Sequence, residues 1–357
     1  MSAEIGSQAS QAPAAAGTVA PSERGYVVTR LDRLSRGALV GFAALVVLLA
    51  FVPFSFGSST QNTLTGILLL VAMASLWNLL AGYAGLISFG QQAFLGVGAY
   101  SVLVLTRSGM NGYVAIPFAA LIALVIAVPL SVALFRTRGA YFAIATWVVA
   151  EAFRLLVITI PALGGGEGAS LPTALDYSPT VRTALTYWAS LVVAVASLAA
   201  IWFLMRSRTG LDAGAVRDDE LAASSLGVGT DRARRIPYLV SAAGFGAVGA
   251  VIFLNALRVE PASIFSVNYS ANAFFMTVIG GVGTIEGPVV GALVFYALQE
   301  FLSGWGEWYL VLLGVVAIAV MLFMPEGLWG RLSRRFDLVL FPIGYRLRQR
   351  GGSRDKR

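Results

Sequence analysis

Two charged residues, Glu151 and Arg154, lie inside an otherwise apolar stretch of this sequence, residues 140–160. Because they are three residues apart, they share one face of a helix and can form an ion pair. Each would cost about 2.5–3.5 kcal/mol at the bilayer centre if it faced lipid alone. We therefore expect both to face protein or water. They are a pathway or gating pair, or they form a structural ion pair, or Arg154 extends outward to water.

The residue types that are missing exclude most enzyme chemistry. The chain has no His and no Cys. The usual zinc, haem and iron–sulfur sites, Ser-His-Asp catalysis and thiol chemistry therefore lose their key groups. The only lysine, Lys356, lies in the tail, whereas a Walker A loop needs a lysine after its glycines. We predict a protein that is not an enzyme, with no ATPase site, no metal and no cofactor of its own.

Glycine-rich breaks interrupt two apolar stretches, GYAGLISFGQQAFLGVGAY at 82–100 and GGVGTIEGPVVGALVFY at 280–296. Paired breaks of this kind in the two halves of a transporter indicate its pathway. Glycines at small-x-x-x-small spacing, in contrast, often only allow helices to pack closely. We interpret Gly96 and Gly98 as packing positions and assign the breaks to a translocation path. The predicted path residues are Gly82, Gly85, Ser88, Gly90, Gln91, Gln92, Gly281, Gly283, Thr284, Glu286 and Gly287.

The breaks also predict two helix N-termini within the membrane, one from Gly90 to Ala93 and one near Gly287. Exposed N-terminal amides carry partial positive charge, so they could hold the carboxylate of a solute without a fixed cation. We expect both breaks to lie near the centre of the complete assembly and to border the solute route.

The elements that must position these residues are membrane-spanning helices. The chain of 357 residues is 57% hydrophobic, its mean hydropathy is +0.78, and its apolar runs approach the roughly 20 residues that cross a bilayer. The predicted fold is an all-α polytopic membrane protein of about ten transmembrane helices. The predicted spans are 38–54, 63–80, 93–106, 113–135, 140–160, 184–205, 237–257, 272–283, 288–302 and 308–324.

The segments outside these spans predict the domain organisation and the orientation. Residues 1–36 read as a disordered tail, 331–357 as a basic tail and 37–330 as the membrane domain, with a long polar loop at 206–236. Arginines cluster in loops that an even number of spans places on the side of the N-terminus. That side should be cytoplasmic, with both termini there. The net charge of +7 thus reflects membrane orientation rather than nucleic-acid binding.

Several blocks of the sequence resemble LivM-type permeases of branched-chain amino acid ABC importers. The similarity runs from Asn62 to Leu328 and leaves out the N-terminal tail. The resembling blocks are GYAGLISFGQQAFLGVGAY at 82–100, RGAYFAIATWVVAEAFRLL at 138–156, RTGLDAGAVRDDELAASSLGV at 208–228, IGGVGTIEGPVVGAL at 279–293 and MPEGLWG at 324–330.

The resemblance implies an ABC-importer permease fold with glycine-broken helices, in a prokaryotic plasma membrane. It implies a second permease subunit, an extracytoplasmic solute-binding protein, and cytoplasmic ATPases that use the ATP. It also implies that a short helix of loop 206–236 fits a groove of the ATPase. Small alanines would permit close docking, and Leu221 departs from the family's looser E-A-A…G pattern. The residues assigned to this coupling element are Arg217, Asp218, Asp219, Glu220, Ala222, Ala223 and Gly227.

Other functions remain open from the sequence. Urea and short-amide importers use near relatives of this permease, so the solute is less specific than the family. A secondary transporter or channel would need no ATPase and would carry a buried ion-coupling group. A membrane scaffold would have no solvated path between the breaks.

Overall fold

A computed structural model describes residues 26–29, 33–171, 177–302, 308–324, 326–336, 340–341 and 346–349. The chain divides into two units. The smaller unit holds residues 1–30 and 345–357, and in it strand β1 (Tyr26–Thr29) pairs antiparallel with β4 (Arg346–Gln349). The larger unit, residues 31–344, holds every helix found among the described residues.

The predicted tails are partly structured, which corrects their boundaries. Residues 26–29, assigned to the disordered tail, form a strand because the sequence YVVT is aromatic and β-branched. Helix α1 already begins at Arg33, since arginine is a good helix former and does not interrupt the first turn. The predicted disorder of residues 1–25 lies outside the described residues. Within the predicted basic tail, helix α15 continues to Phe336.

All ten predicted spans fall on helices. The helices of the described chain are α1 (Arg33–Ala50), α2 (Val52–Ser55), α3 (Ser58–Asn78), α4 (Gln92–Arg107), α5 (Ala115–Leu134), α6 (Ala140–Ile158), α7 (Pro179–Arg206), α8 (Arg208–Asp218), α9 (Glu220–Ser225), α10 (Thr230–Ala256), α11 (Pro261–Ile264), α12 (Asn268–Gly280), α13 (Glu286–Leu302), α14 (Trp308–Phe323) and α15 (Gly327–Phe336). A turn of π-helix, Leu79–Tyr83, follows α3.

Seven helical segments of the described chain are long and apolar enough to cross a membrane, fewer than the ten predicted spans. The other three predicted spans fall on α1, α4 and α13, and the apolar part of α1 is only Gly37–Ala50. Helix α4 is short because the first glycine break carries the chain into the bundle before α4 begins. The seven segments are Ser58–Tyr83, Ala115–Leu134, Ala140–Ile158, Pro179–Arg206, Thr230–Ala256, Pro261–Gly280 and Gly314–Arg335.

Two long helices extend beyond their predicted apolar limits. Helix α7 begins at Pro179 instead of residue 184, with proline in the first turn and the Ser178 hydroxyl accepting from the Val181 amide at 3.4 Å. Helix α10 begins at Thr230 instead of residue 237, because its polar first turns continue the helix outside the apolar run. These polar turns bring α10 up to the α8–α9 segment.

Helix α10 is central to the core and packs against α3, α4, α5 and α7. Its Phe245, Val248 and Val251 are fully buried. A Cβ at Gly98 of α4 would lie 2.7 Å from the Gly246 carbonyl carbon, so these two helices touch backbone to backbone. Gly98 is therefore a packing position, as predicted.

The ends of the bundle carry different structures. At one end, strand β2 (Ala169–Ser170) pairs with β3 (Arg258–Val259), and the Arg258 guanidinium donates to the Glu167 carbonyl at 2.9 Å. Helices α7 and α10 run from that end to the opposite one, where α8 and α9 connect them. We call the two ends the β2–β3 end and the α8–α9 end.

Candidate functional site

The two glycine breaks meet at the α8–α9 end of the bundle. The Asn78 side-chain amide donates to the Thr284 carbonyl at 2.7 Å, and its oxygen accepts from the Gly283 amide at 2.8 Å. Gly82 lies so close that an added Cβ would be 2.6 Å from the Gly283 nitrogen. We call this cluster of Asn78, Gly82, Gly283 and Thr284 the break junction. It joins parts of the chain more than 200 residues apart.

The first break is a re-entrant segment. Gly85 has a φ of +68°, a backbone angle that side-chain-bearing residues rarely adopt, and it turns the chain back after the π-helical turn. The Trp77 indole then donates to the Ser88 carbonyl at 2.8 Å, and the Phe89 amide donates to the Thr146 hydroxyl at 3.2 Å. Thr146 lies within α6, so residues 86–91 reach the interior of the bundle before α4 begins.

The polar side chains of the first break are fully buried and bonded within the chain. The side-chain amide of Gln91 donates to the Ser88 hydroxyl at 3.1 Å, and the side-chain amide of Gln92 donates to the Phe89 carbonyl at 2.9 Å. The Ser270 hydroxyl of α12 donates to the side-chain oxygen of Gln92. The polar side chains of this irregular segment are thus buried in protein rather than facing water.

At the start of α4, three backbone amides are bonded within the chain. The Gly90 amide donates to the Ser88 hydroxyl at 3.3 Å, and the Ala93 and Phe94 amides donate to the carbonyls of Gly90 and Gln91, both at 3.0 Å. These amides already have partners because the tight turn folds back on itself. The Gly90, Ala93 and Phe94 amides therefore offer no open donor to a carboxylate, and a solute-binding helix N-terminus at Gly90–Ala93 stays a prediction.

The second break is the turn between α12 and α13. The Thr284 hydroxyl accepts from the Gly287 amide at 3.0 Å and donates to the Gly281 carbonyl at 3.1 Å. It therefore caps the start of α13, where we predicted amides that could bind a solute. The Glu286 carboxylate at the same turn accepts from the Phe341 amide at 2.9 Å.

The predicted coupling element folds as the two short helices α8 and α9. The Asp219 carboxylate accepts from the Leu221 and Ala222 amides at 2.9 and 3.0 Å, so it caps the start of α9. Gly227, with a φ of +82°, follows its end as predicted. Asp219 and Gly227 thus form the two turns that bound α9.

The outer surface of α9 includes only one of the two expected alanines, because Ala222 is exposed and Ala223 is buried. Ala223 is only 2% exposed and packs inward against Val216 and Ala233. Leu221 and Leu226 are 77% and 85% exposed. The leucine that departs from the family pattern is therefore part of an apolar tip, which the alanine spacing alone did not reveal.

Glu220 fixes α9 to the rest of the larger unit. Its carboxylate accepts two hydrogen bonds from the Arg234 guanidinium of α10, at 2.9 and 2.8 Å, and lies 3.5 Å from Arg138. Both members of the Glu220–Arg234 pair are mostly buried, at 24% and 21% exposure. A bidentate pair of this kind restrains the relative orientation of the two side chains as well as their distance. Sequence reasoning named Glu220 but missed both arginine partners.

Arg217 links the α8–α9 segment to the break junction. Its Nη1 donates to the Gly82 carbonyl at 2.6 Å, and its Nε and Nη2 donate to the Asp218 carboxylate at 2.9 and 2.8 Å. Asn78 was missed, although a lone amide in the apolar run of α3 is a signal that could have identified it. Arg217 was assigned to coupling but not to this contact.

The predicted pair of Glu151 and Arg154 forms. The Arg154 Nε donates to both carboxylate oxygens of Glu151 at 2.9 Å, and an Nη2 bond adds to it. The side chains remain 45% and 28% exposed on a helix whose Trp147 and Leu155 are also exposed. The pair therefore lies on a face of α6 that the described part of this chain leaves partly uncovered.

No group of three or more His, Cys, Asp or Glu comes together among the described residues in a way that could hold a metal ion. An apolar cavity of about 640 Å³ lies between α5, α7 and α10, with Leu76, Tyr113 and Trp188 in its lining. It does not include residues of the break junction.

Comparison with known proteins gives a consistent set of relatives. The family model described as branched-chain amino acid transport system / permease component matches residues 59–325. The permease protein LivM of Escherichia coli K12 is 28% identical over 85% of this chain and 77% of its own length, and LivM of Salmonella typhimurium is 26% identical over the same shares. LivH of Escherichia coli K12 is 28% identical over 49% of this chain and 56% of its own length. No solved structure matches the chain.

Proposed function

Because the chain belongs to the family of branched-chain amino acid transport permeases, we propose that it is a membrane-spanning subunit of an ATP-driven ABC importer for branched-chain amino acids. It is a multi-pass membrane protein, and seven helical segments in its described part are long enough to cross a bilayer. The LivM and LivH relatives are named as permeases of a high-affinity branched-chain amino acid transport system.

The observation that carries the ABC assignment is the α8–α9 segment. A capped, six-residue helix presents Leu221 and Leu226 to solvent, and Glu220 holds it through Arg234. Exposed apolar side chains on a restrained helix fit a partner's hydrophobic groove. We propose that this partner is a cytoplasmic ATPase and that the α8–α9 end is the cytoplasmic one.

Several subunits would complete the importer. The chain has one lysine, Lys356, and so lacks a Walker A loop; the ATPases would use the ATP. Both LivM and LivH of Escherichia coli K12 resemble this chain, which supports a second, similar permease beside it. An extracytoplasmic binding protein would deliver the solute at the β2–β3 end.

The arrangement supports a solute route completed between two permeases. The cavity between α5, α7 and α10 is almost wholly apolar, so it offers little to a zwitterionic solute. The break residues are closed in this structure and would have to open toward the route in another state. Import of urea or short amides by the same architecture is the alternative that the sequence left open.

The proposal is tested by assembly with an ATPase. Leu221→Ser and Leu226→Ser in one chain should greatly reduce co-purification of the partner ATPase, while the chain still inserts and binds the second permease. Leu332→Ser, at a leucine of α15 that is 43% exposed, is the matched control and should leave co-purification unchanged. Normal ATPase association of the α9 variant would remove this helix as the docking element.

A further inference from the structure

Arg217 connects the α8–α9 segment with the break junction, two features that the sequence did not link. It belongs to α8, next to the proposed ATPase-docking helix, yet its Nη1 donates to the Gly82 carbonyl at 2.6 Å. Asp218 holds the opposite edge of the same guanidinium at 2.8 Å. A planar group held on both edges cannot move far without moving its partners.

The position of the Gly82 carbonyl explains why a cation lies there. Gly82 is in the π-helical turn that ends α3, and the last carbonyls of a helix lack amide partners within the helix. A positive charge at a helix C-terminus is favourable. The Arg217 guanidinium therefore provides a donor that the helix itself does not.

The break junction connects this contact to four helices. Asn78, one turn before Gly82, bonds both Gly283 and Thr284 in the turn between α12 and α13. Gly85 begins the re-entrant segment that leads into α4, and a Cβ there would lie 3.0 Å from the Arg217 Cγ. A displacement of α8 would thus reach α3, α4, α12 and α13 together.

We infer that Arg217 is the positioning residue that ties α8 to the break junction, so that movement of the α8–α9 segment displaces the junction and the helices that end there. The inference rests on the proposed function, because an ATPase is taken to impose that movement through α9. The tie persists through the transport cycle, since the guanidinium transmits displacement only while it stays bonded.

The first test measures coupling separately from assembly. Arg217→Cys is reconstituted with the second permease, ATPases and binding protein, and leucine uptake per ATP hydrolysed is compared with ATPase co-purification. We expect uptake per ATP to fall at least tenfold while the ATPase stays bound. Arg208→Cys, at an exposed arginine of the same helix, should keep the normal ratio. A normal ratio for Arg217→Cys, or loss of the ATPase, overturns the inference.

The second test replaces the tie with a covalent bond. A Cβ at residue 85 lies 3.5 Å from the Arg217 Cβ, within the roughly 3.5–4.5 Å that a disulfide requires, and the native chain has no Cys. Gly85→Cys with Arg217→Cys should regain uptake per ATP when oxidised and lose it when reduced. Failure of the oxidised pair to recover, where Gly85→Cys alone still transports, contradicts a persistent tie.

A third variant keeps the inference testable if Gly85→Cys alone is inactive. Arg217→Lys retains a donor for the Gly82 carbonyl but lacks the planar group held on two edges, so it should restore part of the ratio that Arg217→Cys loses. A lysine variant no better than the cysteine variant contradicts the inference. If the unaltered assembly binds its ATPase but shows no ATP-driven uptake, the proposed function fails, and that result is distinct from all of these.

Discussion

Substitution of Gly82 by alanine tests whether the break junction is as tight as its geometry indicates. The added Cβ would lie 2.6 Å from the Gly283 nitrogen and 2.9 Å from its Cα, and it would also collide with the Asn78 side-chain oxygen. Backbone cannot rotate away as a flexible side chain can. The two breaks would therefore have to separate by about 1 Å to reach ordinary van der Waals contact.

The size of the effect follows from two costs. Overpacking a close-packed site typically costs about 1–3 kcal/mol. Separation of the breaks would also lengthen the bond from the Gly283 amide to Asn78, now 2.8 Å, and a lost hydrogen bond costs about 0.5–1.5 kcal/mol. We expect Gly82→Ala to destabilise the larger unit by about 2–4 kcal/mol.

The same helix region provides a matched control. A Cβ at Gly66 of α3 would meet nothing within 4 Å. Alanine is favoured over glycine inside a helix by about 1 kcal/mol, so Gly66→Ala should be neutral or stabilising. Unfolding of the purified chain in mixed micelles, followed by tryptophan fluorescence against increasing SDS, would measure both variants. Equal midpoints for Gly82→Ala and Gly66→Ala would refute the packed junction.

Three other perturbations test separate parts of the structure. Neutralising Glu151 or Arg154 alone should reduce folding yield or uptake more than neutralising both, because a single charge left in the membrane is the costly state; additive effects would show that they do not interact. Ala223→Leu should destabilise the α8–α9 segment by about 1–3 kcal/mol through overpacking, measured as faster proteolysis of that segment, and unchanged proteolysis would contradict its inward position. Ser88→Cys and Thr284→Cys should react with small water-soluble thiol reagents in some state of the ATP cycle; if both stay unreactive, the solute route lies away from the breaks.

Much of the helical fold could be predicted because a run of neighbouring apolar residues is enough to indicate a membrane span. Each apolar run produced a helix, and the pair of Glu151 and Arg154 followed from spacing within one helix. The errors lie where polar residues extend a helix beyond its apolar run, as at Thr230. The polarity of neighbouring residues does not indicate where a helix ends once it extends beyond its apolar run.

The site could be predicted only in part because its contacts are tertiary. The glycines identified both breaks, but no local pattern links Asn78 to Gly283 across 205 residues. The orientation of α9 was also undetermined by its own sequence. Ala223 points inward only because Val216 and Ala233 lie beside it, and that placement depends on how α8 and α10 converge.

The central claim is that this chain carries branched-chain amino acids across a membrane when its ATPases hydrolyse ATP. The most direct measurement is uptake of radiolabelled leucine into proteoliposomes that contain this chain, the second permease and the ATPases, with binding protein outside and ATP enclosed. We predict uptake that requires enclosed ATP, stops when this chain is omitted, and is reduced by excess isoleucine or valine but not by urea. Leucine uptake that proceeds equally without ATP, or competition by urea and not by isoleucine, would contradict the account.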